Sequence, residues 1–163
     1  MGLRVAVACF SFLLCVTLRD GAAQQDIGLA YRDYPRADCV SYEGFTEGTE
    51  NRFTVLTAKC PAGYETWLSK ATKTEKGATR GDMIVLDHMR ISELKADERF
   101  SPGPYCNLGG KEINWIAIYT WDSRKSMTVA NGKLHQAWIA NLGSGRFEEV
   151  PRRHLETAVC KAE

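Results

Sequence analysis

The side chains able to do chemistry are three histidines, six cysteines and a scatter of carboxylates. Asp87 and His88 are neighbours in a segment that reads as a strand. Successive strand side chains point to opposite faces, so these two cannot form an acid–base dyad with each other. His135 lies in a hairpin arm beside Asn131-Gly132, and His154 lies in a tight turn. Neither a G-x-S-x-G elbow nor an H-E-x-x-H pair is present. Each histidine therefore reads as a surface or half-buried structural residue. A glycosidase-type carboxylate pair could be drawn from Asp82, Asp87, Glu93 and Asp122, with their separation left open by the sequence. Arg80-Gly81-Asp82 matches an adhesion tripeptide and reads more simply as a loop end entering a strand.

The cysteines point to an exported protein. Arg4 is followed by the uncharged run Val5 to Leu18, 14 residues long. As a helix it spans about 21 Å, short of a roughly 30 Å hydrocarbon core. Gly21-Ala22-Ala23 follows, so the segment reads as a secretory signal peptide cleaved after Ala23. Cys9 and Cys15 leave with it. The remaining 140 residues carry 19 basic and 19 acidic side chains. That balance gives no footprint for nucleic acid and no electrostatic steering of a charged partner. No membrane span remains once the signal is removed. Cys39, Cys60, Cys106 and Cys160 are an even set in an exported chain, which reads as two disulfides. Of three possible pairings, Cys39–Cys60 with Cys106–Cys160 keeps the first bridge local. No C-x-x-C or close Cys/His pair suggests zinc, and no motif calls for a cofactor.

The elements that must position these residues are strands. Arg52 to Cys60 alternates and is rich in β-branched and aromatic residues. Pro61-Ala62-Gly63 turns the chain, and Tyr64 to Thr72 follows as a strand, with a short helix as the alternative. Thr74 to Gly81 reads as a loop and Asp82 to Ile91 as a strand. Ser92 to Arg99 has helix-favouring composition with Ser92 as N-cap, which predicts one or two helical turns. The rest of 92–111 reads as turn-rich connection. Glu112 to Asp122 is apolar on both faces and reads as a central strand. Met127–Ala130 and Lys133–Leu142 flank the Asn131-Gly132 hairpin signal. Gly143-Ser144-Gly145 turns into a short strand, Arg146 to Val150, before a brief turn at 152–154. The expected fold is mainly β: a small antiparallel barrel or sandwich in one domain over 24–163, disulfide-stapled, with one short helical segment.

On the central strand, Trp115, Ala117 and Tyr119 share one face, and Ile116 and Ile118 the other. Trp115 and Trp138 read as core. Trp121 continues the Tyr119 face toward a polar loop, so Tyr119, Trp121, Arg124 and Lys125 form the predicted ligand-binding site, with the aromatics as a stacking platform.

Ala137 to Val159 resembles the last third of a Src-homology-3-like barrel. Trp138, Gly143-Ser144-Gly145, Val150-Pro151, Arg152-Arg153-His154 and Leu155-Glu156 follow the order of that family's elements. Gly81 to Leu86 is similar to the strand after its first long loop. The resemblance covers 23 residues, implies a long insertion within 87–136, and lacks the acidic loop of peptide-binding members. It implies a small β-barrel and, from exported bacterial relatives, binding of cell-wall material. The leading expectation is thus a secreted or periplasmic, non-catalytic module that binds a cell-envelope polymer or an exported protein. The alternatives are an inhibitor that inserts loop 101–111 into a secreted hydrolase, and a small carboxylate-dependent hydrolase.

Overall fold

The computed structural model describes residues 26–48, 52–72, 82–108, 111–120 and 133–161. Ten strands and one short helix follow in order. They are β1 (Ala30–Tyr31), β2 (Val40–Glu47), β3 (Phe53–Cys60), β4 (Gly63–Ala71), β5 (Met83–Ile91), β6 (Glu98–Leu108), β7 (Lys111–Thr120), β8 (Lys133–Asn141), β9 (Arg146–Glu149), α1 (Arg152–Leu155) and β10 (Val159–Lys161). They form two five-stranded sheets, ordered β1-β5-β4-β3-β2 and β10-β6-β7-β8-β9. Every pairing is antiparallel. The architecture is mainly β and curls into half-barrel form, with one short helix and a Cys39–Cys60 disulfide.

Alternation along the strands gives each sheet two apolar faces. The inner faces meet over Val55, Leu68 and Ile116, with Phe45, Phe53, Met89, Phe100 and Trp138 packed around them. The outer face of the first sheet buries Ala58, Cys60, Trp67 and Val85 beneath the arm, residues 26–39, which carries Tyr31 and Cys39, and beneath Tyr42 of β2. The outer face of the second sheet buries Trp115, Ala117 and Ala137 beneath Val150 and Leu155 of the α1 region. The strand β7 is therefore central and covered on both sides, as its two apolar faces predict.

Two turns show what the chain needs locally. Gly63 opens β4 at φ 124°, and a Cβ there would stand 2.3 Å from the Ile91 carbonyl oxygen. Only glycine fits this turn. In the second sheet, Asn141 Oδ1 accepts the backbone N–H groups of Gly143 and Ser144, at 2.9 and 3.1 Å, and closes the β8–β9 turn.

Two expectations are corrected. Residues 92–97 hold no helix. Glu98 N–H donates to the Lys95 carbonyl and Lys95 N–H to the Glu98 carboxylate, both at 3.0 Å, which closes a turn where the chain leaves the first sheet for the second. The segment 101–108 is not a connection but most of β6, paired with β7 along its length and with β10 over 105–107. Its register shifts between Pro102 and Tyr105, and a bulge is where a strand tolerates proline. Residues 101–108 of the segment expected as an inserting loop are thus strand.

Candidate functional site

Among the described residues, the densest group of reactive side chains lies on the outer face of the first sheet, under the arm. Glu65 and Trp67 alternate on β4, and His88 and Arg90 on β5. The register sets Trp67 opposite His88 and Glu65 opposite Arg90. The arm adds Asp26 and Arg36. Glu65 and the His88 side chain have no exposure. Burying a carboxylate is tolerated only with dense pairing. Glu65 Oε1 accepts from Arg36 Nη1 at 2.9 Å and from Arg90 Nη2 at 2.7 Å. Its Oε2 lies 3.1 Å from His88 Nε2. His88 Nδ1 faces Asp26 Oδ2 at 3.4 Å, and the same oxygen accepts from Trp67 Nε1 at 3.0 Å. The Trp67 and His88 rings stack 5.3 Å apart at 5°. Arg36 also grips Asp38, with Nε donating at 2.9 Å. That fork holds the Asp38 carboxyl below the usual carboxylate range and raises the guanidinium in turn.

Ligand atoms of Asp26, Glu65 and His88 lie within 4.8 Å of one another, a spacing that invites a metal reading. The chemistry argues against it. The two carboxylates face different ring nitrogens, which point away from each other, so one ion on one nitrogen cannot serve both. Two guanidiniums already occupy Glu65, and a cation added there meets their repulsion. General acid–base work is also closed off, because a base must reach its substrate and His88 is sealed. The arrangement is a polar clamp that fixes the arm. Tyr31 adds a hydrogen bond to Ser69 Oγ at 3.0 Å, and the disulfide pins the arm's far end.

The remaining candidates sit apart from this clamp. Asp82 is exposed and pairs with Arg32 at 3.3 Å. Asp87 points to the inner face, and its carboxylate accepts the N–H of His88 at 3.0 Å and of Phe147 at 2.8 Å. It thus satisfies backbone on strand β9, an edge of the second sheet. Glu93 is exposed. Among the described residues, no pair of these carboxylates flanks a common site; Asp122 lies outside the described residues. Ser92 and Lys95 have an S-x-x-K spacing, but in extended chain rather than on a helix, where residues three apart would meet. Lys95 is engaged by Glu98 at 3.3 Å. His135 is half-buried and hydrogen-bonded through Nε2 to the Thr120 hydroxyl. His154 is half-buried at α1. His88, expected at or near the surface, is instead buried, because the arm covers its strand.

Of the predicted ligand site, Tyr119 is half-buried and packs against the Trp115 cluster. Trp121, Arg124 and Lys125 lie outside the described residues, as do the signal segment, Arg80-Gly81 and the Asn131-Gly132 hairpin. The clamp escaped sequence reading because Asp26 and Arg36 sit on an arm without periodicity. Its signal was present in β4 and β5, where Glu65, His88 and Arg90 stand at alternating positions beside Trp67. Comparison with protein-family models, with curated proteins and with solved structures returns no match. Among the described residues no helix is long and apolar enough to cross a membrane.

Proposed function

We propose that the protein is exported, with its signal removed after Ala23, and acts as a non-catalytic binding module for a cell-envelope ligand. The observation that carries this reading is the burial of its reactive groups. Glu65 and His88, the side chains best suited to acid–base chemistry, are sealed beneath the arm and committed to one another, Arg36 and Arg90. The fold spends its most reactive cluster on rigidity. The Cys39–Cys60 bridge supports an oxidising address. The reading also draws on the Src-homology-3-like resemblance of residues 137–159, which implies envelope binding, although the final strand expected at Leu155-Glu156 is instead the end of α1 and a turn, with β10 following at Val159–Lys161. A pull-down on purified peptidoglycan and on envelope protein extract tests the proposal. Retention on one of them is expected, and retention on neither removes the binding claim.

A further inference from the structure

We propose that Tyr34 is the stacking platform of a saccharide site on the arm, with Asp38 accepting a hydrogen bond from a sugar hydroxyl. This rests on the binding-module reading and names the envelope ligand's chemistry as carbohydrate. Tyr34 is 51% exposed, yet it does not hang free. One ring face lies on Tyr42, with centroids 4.2 Å apart and planes at 26°. Tyr42 lies 6.2 Å from Trp67, which stacks on His88. The four rings form a column running from solvent to the buried clamp.

Each support is fixed. The Tyr42 hydroxyl donates to the Arg36 carbonyl, and the Trp67 N–H to Asp26. An exposed ring held this way loses little freedom on binding, which lowers the entropic cost of association. Its outward face matches the apolar C–H face of a pyranose ring.

The flank supplies the polar half of the site. The Asp38 side chain is 50% exposed, and both its oxygens accept from Arg36. The carboxylate also accepts its own backbone N–H; with two acceptor sites per oxygen, one remains for a sugar hydroxyl. The guanidinium pairing keeps Asp38 ionised at neutral pH. The Arg36 guanidinium itself is engaged by Asp38 and Glu65. The flank therefore offers an acceptor rather than a free cation, which selects hydroxyls over phosphate or carboxylate. A protein partner fits less well. Among the described residues, the other exposed large apolar side chains are Ile27 and Leu29 beside β1, and Val40 on β2, at opposite edges of the sheet. Four strand spacings, about 19 Å, separate those edges, so the residues do not merge into the roughly 800 Å² per partner of a stable interface.

The test is titration of the disulfide-bonded protein with cellotetraose and with tetra-N-acetylchitotetraose, followed through the tyrosine ring resonances. Wild type is expected to bind at least one, with Tyr34 signals shifting. Tyr34→Ala should weaken binding by about tenfold or more, while Tyr34→Phe should stay within about twofold of wild type. Asp38→Asn should weaken it by about threefold. An unchanged near-ultraviolet tryptophan spectrum shows that each variant keeps its fold. Equal affinity of wild type and Tyr34→Ala overturns the inference. So does failure of both sugars at about 10 mM, and in that case retention on envelope protein would leave the binding-module reading standing. Loss of retention on every envelope fraction removes both.

Discussion

Glu65 has no exposure, and its burial is tolerated because of what surrounds it. Arg36, Arg90 and His88 all face it within 3.1 Å. Replacing it with alanine removes the carboxylate that Arg36, Arg90 and His88 share and leaves Arg36 held by Asp38. Breaking a buried pair by removing one partner costs about 3–5 kcal/mol. Glu65→Ala should therefore lower the urea midpoint steeply, with Glu65→Gln intermediate, because glutamine keeps one acceptor oxygen. A midpoint unchanged in Glu65→Ala contradicts the clamp. At this scale the sequence was only partly legible. Trp115 as core follows from strand alternation alone and matches its zero exposure. The burial of His88 does not, because it depends on an arm docked from more than fifty positions upstream.

At the scale of elements, the arm is the piece whose docking can be titrated. Tyr31 and Tyr42 both have raised pKa values, chiefly because burial disfavours the phenolate. The neutral phenol is thus the form the folded arm favours. Its contribution is complete below the ordinary value of 10.0 and is lost as pH rises through the higher folded values. Urea midpoints should hold steady up to about pH 10 and fall above it, with a shallower fall in Tyr31→Phe. Equal slopes in the two proteins contradict arm docking by Tyr31. The strand β3 was legible from its alternation, and β5 and β7 from their apolar, β-branched runs, although a pairing of each carries a register shift. The strands that were not legible are irregular. β2 shifts register between Val40 and Glu43, with Ser41 at φ 55°, which breaks the alternation at the start of the strand. β6 hides its period behind the Pro102-Gly103-Pro104 bulge. The helix expected over 92–99 reflected composition alone, in a stretch that tertiary geometry uses as a turn.

The molecule as a whole is two sheets joined at their inner faces, each capped outside by a different piece of chain. The Cys39–Cys60 bridge closes a 21-residue separation and ties one cap to its sheet. In the chain-entropy model this contributes about 3 kcal/mol. The register of β6 and β10 sets Cys106 directly opposite Cys160. This is the second pairing favoured from sequence, and it would fasten the C-terminal strand to the other sheet. A non-reducing peptide map of the purified, unreduced protein should contain a linked Cys106–Cys160 peptide, and free thiols at both positions would contradict that pairing. The central claim, contact without turnover, is tested most directly by one incubation with purified peptidoglycan. The sedimented protein and the soluble sugars and peptides released are then measured together. The account predicts protein retained on the polymer with no release above the polymer-only control. Release of soluble fragments that grows with time would contradict it.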